Sequence, residues 1–263
     1  MNPPLVSIII SCKNEASRIE RLLKSIQAQT LNEIELIVVD NFSTDDTRII
    51  AQKYTKQVFL YGPERSSQRN FGARKARSKY LFFLDADMEL PKTLVGACVK
   101  AMHGNYCAVI IPEIVPGSSF FCRVKRLEKR FYIGETLIEA PRFFLKTAFW
   151  GIGGYNEALV AGEDWDIADR IKTQGAVTRI KISLMHHENS FIREFKHKIY
   201  YARKINYYAI YYPRNFKFQS GLTRLQLFWR KKRLFTAYPL ETVGLLLLKG
   251  FEYGLYRLLQ FIK

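Results

Sequence analysis

Five short runs rich in β-branched and aromatic residues, at 5–11, 34–40, 57–61, 80–84 and 107–111, are separated by stretches of helical period. They read as strands buried in a parallel sheet. Between the first two, Ile19, Leu22, Leu23 and Ile26 recur at the spacing of one helix face. Residues 43–46 then supply a turn and N-cap for a helix through Ile49 and Ile50. Strand and helix in alternation is the order of a doubly wound α/β sheet, a nucleotide-binding architecture whose ligand crevice lies beyond the carboxyl ends of its strands.

The 263 residues are enough for one α/β domain of roughly 200 residues and an appendage. With 48% hydrophobic and 14% aromatic residues, the composition excludes a disordered or fibrous chain. Cys12, Cys98, Cys107 and Cys122 are scattered without CxxC pairing, so neither a disulfide frame nor a zinc site is implied. The N-terminus lacks a basic leader and its apolar run stops at Lys13 and Asn14, so no signal peptide is expected and the chemistry is expected in the cytoplasm.

Of the net charge of +17, residues 190–263 hold +12, from fifteen Lys or Arg against three Glu. The basic excess therefore belongs to the C-terminal region. Beyond Pro112 the strand pattern loosens, then resumes at 142–145, with a Gly-Gly turn at Gly153, a helix predicted over 163–173 and a strand over 177–184. From Phe191 onward the chain reads as helices rich in Tyr, Arg and Lys.

Asp85-Ala86-Asp87 follows the apolar run 80–84 directly. At a strand's carboxyl end, two hard oxygen ligands one residue apart can hold Mg²⁺ or Mn²⁺, and the cation can neutralise a diphosphate. Alone, the triplet could equally be an acidic turn capping the next helix. The run 34–40 also ends in Asp40, and the first run ends in Ser11 with Lys13, Asn14 and Glu15 just beyond. Three strand ends thus offer polar groups to one crevice, as a site for base, ribose and phosphates requires.

The segments VSIIISCKNEASRIERLLKSIQAQT, IELIVVDNFSTDDT, SQRNFGARKARSKYLFFLDADMEL and GGYNEALVAGEDWDIADRIKTQG, spread over residues 4–175, resemble the family 2 glycosyltransferases of GT-A fold. The resemblance implies a Rossmann-like, mostly parallel sheet with flanking helices. It implies that Ser11, Lys13 and Glu15 line the donor pocket, that Asp40 meets the nucleobase, and that Arg69 and Asn70 support the donor. Asp85 would face ribose or metal, Asp87 would bind the metal bridging the donor diphosphate, and Asp164 would be the general base. Lys13 departs from the neutral residue many relatives carry, so no base preference is implied.

Glu163 and Asp164 open the helix after Gly162, where the helix dipole favours ionised carboxylates, although an acidic first turn is common in helices of no special role. Glu163 and Trp165 are placed toward the acceptor; Trp165 could stack on a pyranose or simply pack in the core. Asp166 and Arg170 have the spacing of a helix-surface pair. His186-His187-Glu188 ends the strand 177–184, and by the resemblance His186 is a candidate to complete the metal shell, against the commoner structural histidine. The implied reaction is a single in-line displacement. A carboxylate takes the acceptor proton, the metal stabilises charge on the departing nucleoside diphosphate, and the anomeric configuration inverts.

In the tail, Leu240, Val243, Leu247, Leu248, Phe251, Leu255, Leu258, Leu259 and Ile262 form a stripe at helical period, opposite Glu241, Lys249, Glu252, Gln260 and Lys263. Its longest apolar run, residues 243–248, is far short of the roughly 20 residues a spanning helix needs. Residues 222–235 mix Leu225, Phe228, Trp229, Leu234 and Phe235 with Arg224, Arg230, Lys231, Lys232 and Arg233, which suits an anionic membrane surface; a helical cap on the catalytic domain is the alternative. The expected organisation is a GT-A catalytic domain over 1–189 and basic amphipathic helices over 190–263. The expected partners are a nucleotide-sugar donor and a lipid-linked or saccharide acceptor, at the inner face of the cell membrane. A polyprenyl-phosphate sugar synthase is the alternative enzyme. A nucleic-acid-binding protein is disfavoured, because aspartates at the strand ends would repel phosphate.

Overall fold

The computed structural model describes residues 3–136, 138–187, 199–201, 204 and 221–261. The chain divides into two compact units. The first comprises Met1–Glu113, Ala140–Ala158 and Glu163–His186; the second comprises Ile114–Glu139, Leu159–Gly162 and His187–Lys263.

In chain order the elements are β1 (Val6–Cys12), α1 (Ile19–Gln27), β2 (Ile34–Asp40), α2 (Thr47–Gln52), β3 (Val58–Leu60), α3 (Arg65–Lys75), β4 (Tyr80–Asp85), β5 (Met88–Glu89), α4 (Leu94–Ala101), β6 (Tyr106–Ile110) and β7 (Glu113–Ile114). There follow α5 (Phe120–Tyr132) of the second unit, then β8 (Pro141–Leu145), α6 (Lys146–Gly151), α7 (Glu163–Arg170), β9 (Ala176–Arg179) and β10 (Leu184–His186) of the first. Strands β3-β2-β1-β4-β8-β6-β9 form a seven-stranded sheet in that order. Only β8 is reversed in it, pairing antiparallel with both β4 and β6. The sheet is therefore mostly parallel with flanking helices, the α/β class the alternation predicts.

Two-residue alternation builds the core on both faces of the sheet. Ile8, Ile10, Val38, Phe82 and Leu84 pack with Ile19, Leu22, Leu23 and Ile26 of α1 and with Leu94, Val95 and Cys98 of α4. Ile9, Ile37, Val39, Leu81 and Phe83 pack with Ala73 of α3, Phe149 of α6 and Ile167 of α7. Each Val, Leu, Ile or Phe among them removed from water contributes about 1.5–3 kcal/mol before the entropy of ordering it. Gly72 lets α3 close on β1, since a Cβ there would lie 2.5 Å from Ile9 Cγ2. The parallel register sets Ser11 opposite Val39 and Asp85, and Cys12 opposite Asp40, which aligns the three strand ends the sequence marked as polar.

Two expectations meet a different outcome. The strand expected over 177–184 is two strands in two sheets: β9 runs parallel to β6, whereas Met185 and His186 of β10 pair antiparallel with Glu89 and Met88 of β5. Ile180 and Leu184 stay buried across the break, so the period-2 signal continues where the pairing does not. The helix expected over 163–173 is α-helical to Arg170 and finishes as a 3₁₀ turn, Ile171–Thr173.

The second unit is helical. Its elements are α5, α8 (Gly221–Arg230), α9 (Arg233–Ala237) and α10 (Pro239–Phe261). Val124, Leu127 and Phe131 of α5 pack with Leu227 and Phe228 of α8 and Leu245 of α10. Ser119 caps α5 by accepting from the Cys122 amide at 3.2 Å. In α10, Leu240, Val243, Leu247 and Phe251 are exposed, while Leu245 is buried. No helix among the described residues is long and apolar enough to cross a membrane. Glu188, most of the basic stretch 190–220, the side chains of Leu258 and Leu259, and Ile262 and Lys263 lie outside the described residues.

Candidate active site

The β4 end and the α7 start meet across one arginine. Arg69, on α3, is only 1% exposed. Its Nη2 donates to Asp85 Oδ1 at 2.9 Å and its Nη1 to Asp164 Oδ1 at 3.1 Å, with Glu163 Oε1 3.7 Å away. The guanidinium carbon lies 5.0 Å from the centre of the Tyr155 ring. Arg65 Nη2, one helical turn back, donates to Glu163 Oε1 at 2.8 Å. Asp85 and the adjacent pair Glu163 and Asp164, distant in sequence, are thus held together by two residues of one helix, four apart.

A second arginine completes the frame. Arg142, on β8, donates through Nη1 to Asp85 Oδ2 at 3.2 Å and lies 2.8 Å through Nη2 from Glu113 Oε1. Both Asp85 oxygens therefore accept from guanidiniums. Burial would raise the Asp85 carboxyl, but Arg69 and Arg142 hold it far below the usual range. Burial pushes the Glu163 carboxyl up against the pull of Arg65, with the charge on Asp164 adding to the rise. Asp164 is different, because its side chain is 39% exposed and the structure gives Oδ2 no hydrogen bond among the described residues.

Asp87, two residues beyond Asp85, faces His186. Its Oδ1 lies 3.5 Å from His186 Nε2 and makes no well-formed hydrogen bond although it is buried. His186 Nδ1 sits 3.0 Å from Glu113 Oε2. Burial disfavours the charged imidazole, but a carboxylate on each nitrogen raises His186 to about 10. Asp87 is buried too, which would raise it, yet the His186 imidazole facing it keeps it below its ordinary value. Arg18 Nη1 is 4.0 Å from Asp87 Oδ2, and Arg18 also pairs with Glu15.

The remaining candidates line the neighbouring strand ends. Ser11 is buried and its hydroxyl has no hydrogen-bond partner among the described residues; Lys13 is exposed. Asp40, also buried, accepts from the Ser43 amide at 2.9 Å and from the Ser43 hydroxyl, so its carboxylate closes its own turn. The two crevice loops are tied together, with Asn14 N donating to Ser43 Oγ at 2.8 Å and Glu15 N to Thr47 Oγ1 at 2.7 Å. Asn70 makes its bonds to the loop after the Gly-Gly turn: Nδ2 donates to Tyr155 O at 2.8 Å and to Glu157 Oε1 at 2.9 Å, and Oδ1 accepts from Tyr155 N. Gly154 has φ +74°, and a Cβ there would lie 2.6 Å from Asn70 Oδ1, so only glycine suits that contact. Trp165 and His187 are half-buried. Asp166 is buried rather than on the surface, with Arg170 bridging it to Ile152 O.

Among the described residues, no three His, Cys, Asp or Glu are arranged to hold a metal by themselves. Mg²⁺ commonly takes one or two protein ligands and completes its shell with phosphate and water. The buried Asp87 oxygen without a good hydrogen bond fits that partial donor set, and the imidazole facing it, its other nitrogen anchored on a carboxylate, joins the set once a cation displaces the Nε2 proton. Asp85, with both oxygens on arginines, fits it less well.

Glu113, Arg142 and Arg65 were not marked by the sequence pattern. Glu113 stands three residues beyond β6, so the strand-end logic that marked Asp40 and Asp85 reaches it. Arg142 is a cation at the edge of an apolar strand, and its role emerges only because β8 lies beside β4.

A family profile described as Glycosyl transferase family 2 matches residues 7–156. A PGL/p-HBAD biosynthesis glycosyltransferase of Mycobacterium bovis is 27% identical over 202 residues, covering 73% of this chain and 79% of that protein. The GalNAc(5)-diNAcBac-PP-undecaprenol beta-1,3-glucosyltransferase of Campylobacter jejuni is 29% identical over 116 residues, covering 40% of this chain and 37% of that protein, so the chain spans well under half of that relative. The fold is that of a mannosyltransferase from Pyrobaculum calidifontis solved with GDP-Man and Mn²⁺, at a TM-score of 0.58 and 18% identity, covering 78% of this chain and 63% of the other. With the profile spanning more than half of its residues, including Asp85 at the end of β4 and Asp87 just beyond it, this chain belongs to the family 2 glycosyltransferases.

Proposed function

We propose that the chain transfers one sugar, with inversion, from a nucleotide-sugar donor to a lipid-linked acceptor at the inner face of the cell membrane, in glycan biosynthesis. The observation that carries this reading is the Arg69 guanidinium between Asp85 Oδ1 at 2.9 Å and Asp164 Oδ1 at 3.1 Å, which ties a strand-end carboxylate to a half-exposed one. The relatives support the substrate classes. The Pyrobaculum neighbour was solved with a nucleotide sugar, and the Campylobacter protein's name gives it a saccharide on undecaprenyl diphosphate. The latter favours a lipid-linked saccharide over a bare polyprenyl phosphate.

In this reading Asp164 is the general base. Its free oxygen accepts the proton of the acceptor hydroxyl as that oxygen attacks the anomeric carbon. Arg69 keeps the carboxylate oriented. Glu163 and Trp165, beside it on α7, are assigned to the acceptor. Ser11, Lys13 and Glu15 border the donor nucleotide. Asp40 shapes the base pocket through its turn, and Asn70 fixes the loop that leads toward α7. Asp87 and His186 would hold Mn²⁺ or Mg²⁺, with Glu113 orienting the imidazole and Asp85 acting as a brace between Arg69 and Arg142 and toward the donor ribose. When bound, the cation would neutralise the diphosphate and stabilise charge on the leaving group. The catalytic region is assigned to residues 1–189, and membrane association to the basic helices of 190–263.

The test is a panel of nucleotide sugars scored for nucleoside diphosphate release with Mg²⁺, Mn²⁺ or chelator. Release from one donor, stimulated by a lipid-linked saccharide and abolished by chelation, is the expected result. No release from any donor with any lipid-linked acceptor would overturn it.

A further inference from the structure

Helix α10 carries its charge toward α5 of its own unit and exposes its apolar side chains. Glu241 Oε1 accepts from Arg123 Nε of α5 at 2.8 Å. Lys249 Nζ pairs with Glu128 of α5 and lies 2.8 Å from Glu252 Oε2. Glu128, itself buried, also takes Lys125 Nζ at 3.0 Å and the Tyr132 hydroxyl at 2.9 Å, and Arg224 of α8 donates to that hydroxyl at 2.8 Å. The charged residues of this helix between 240 and 255 are thus all engaged on its inner side.

The outer side is the reverse. Leu240 is 69% exposed and Leu247 71%, and Val243, Leu246, Phe251 and Tyr253 are exposed with them. Leu240, Val243, Leu247 and Phe251 follow one another at helical spacing, so they form a single ridge. No exposed position from 240 to 254 is charged. A water-facing helix has its polar stripe outside, and contiguous apolar surface of this kind marks a binding face.

We infer that this ridge docks on an anionic lipid surface, lying in the headgroup and acyl boundary, an inference that rests on the membrane-proximal acceptor proposed above for its purpose. Charge chooses the occupant. Trp229 is 70% exposed with Lys232 Nζ 5.2 Å over its ring, and Lys232 and Arg233 are exposed at the start of α9. Aromatic and basic side chains beside an apolar ridge suit the interface of an anionic bilayer. A second copy of the chain would bring two regions of net +12 together, which like-charge repulsion opposes. Because α10 keeps Lys249 and Glu252 on its inner side, it lies along the bilayer instead of crossing it.

The test is sedimentation of the full chain with vesicles of equimolar phosphatidylcholine and phosphatidylglycerol, and with vesicles of phosphatidylcholine alone. Wild type is expected to bind the anionic vesicles and to prefer them. Leu247→Glu and Phe251→Glu are each expected to weaken binding about tenfold or more, and Lys232→Glu with Arg233→Glu to remove the preference for phosphatidylglycerol. These side chains are exposed, so unchanged thermal midpoints separate docking from folding. Wild type that binds neither vesicle, or glutamate variants that bind as wild type does, would overturn the inference. So would a wild-type dimer in sedimentation equilibrium that Leu247→Glu dissociates, since the ridge would then belong to a second copy. Nucleoside diphosphate release measured without vesicles separates the two proposals. For wild type, docking without release sinks the catalytic reading alone, and release without docking sinks this one alone.

Discussion

In the sheet-bearing unit, Asp85, Asp87, Glu113, Glu163 and Asp164 gather around Arg65, Arg69, Arg142 and His186. In the helical unit, Lys125, Glu128, Lys249 and Glu252 gather between α5 and α10. Both clusters neutralise charge away from water, where an unpaired ion costs several kcal/mol. They differ in what is left over. The first leaves Asp164 half-exposed with a free oxygen, so it retains a group that can accept a proton. The second, with Arg123 on Glu241, engages every charge of α10 from 240 to 255 and leaves an apolar ridge. Equivalent pairing physics thus leaves an accessible carboxylate oxygen in one unit and an apolar face in the other.

The largest expected effect tests the leftover group. Asp164→Asn keeps the Arg69 contact in shape but cannot take a proton, so sugar transfer should fall by up to about 10⁴-fold, ~5 kcal/mol in the barrier. Equilibrium binding of the donor should be retained. Transfer kinetics beside donor titration measure both, and unchanged transfer would end the assignment of Asp164 as the base.

Next come variants that strip one partner from each cluster. Arg69→Met leaves Asp85, Glu163 and Asp164 without their shared cation and should lower stability by about 3–5 kcal/mol. Glu128→Gln does the same to Lys125 and Lys249 and should destabilise on a similar scale. Denaturant unfolding reads both. Only the Arg69 variant should also lose turnover under conditions where it is still folded. Equal losses of turnover would erase the distinction drawn between the clusters.

A smaller effect falls on Glu113. Glu113→Gln keeps a hydrogen bond to His186 Nδ1 but removes the charge that orients and enriches the imidazole, so Mn²⁺ affinity should drop about 10–100-fold. Calorimetric titration of Mn²⁺ into the chain with nucleoside diphosphate measures this without relying on turnover. Asp85, held by two arginines, should matter less to that titration than Asp87.

The residues themselves explain why part of this was legible. Alternation in 5–11, 34–40 and 80–84 fixes which side chains face which layer, and the parallel register then brings Ser11, Asp40 and Asp85 to one end. Local pattern carries that much. The meeting of Arg142 and Glu113 with Asp85 and His186 depends on β8 inserting between β4 and β6, a tertiary choice no local period encodes. The α10 stripe was legible as a stripe, but its direction was not, because the partners that draw its charges inward, Arg123 and Glu128, lie more than a hundred residues upstream. For the same reason α5, which falls within the first 189 residues, packs with the C-terminal helices.

The smallest expected effect divides α10 itself into its two sides. A Cβ at Gly244 would lie 2.6 Å from Val124 Cγ2 and 2.8 Å from Phe120 Cζ, so the helix approaches α5 closely there. At Gly250 a Cβ meets nothing within 4 Å. Gly250→Ala should therefore stabilise the helix by up to about 1 kcal/mol, since alanine restricts the unfolded chain and fits helical backbone. Gly244→Ala gains the same propensity but must push two side chains aside, an overpacking cost of about 1–3 kcal/mol. Paired denaturation curves should move in opposite directions. If both variants stabilise equally, α10 does not have an inner side at Gly244, and the outward ridge of Leu240, Val243, Leu247 and Phe251 loses the fixed orientation that makes it a docking face.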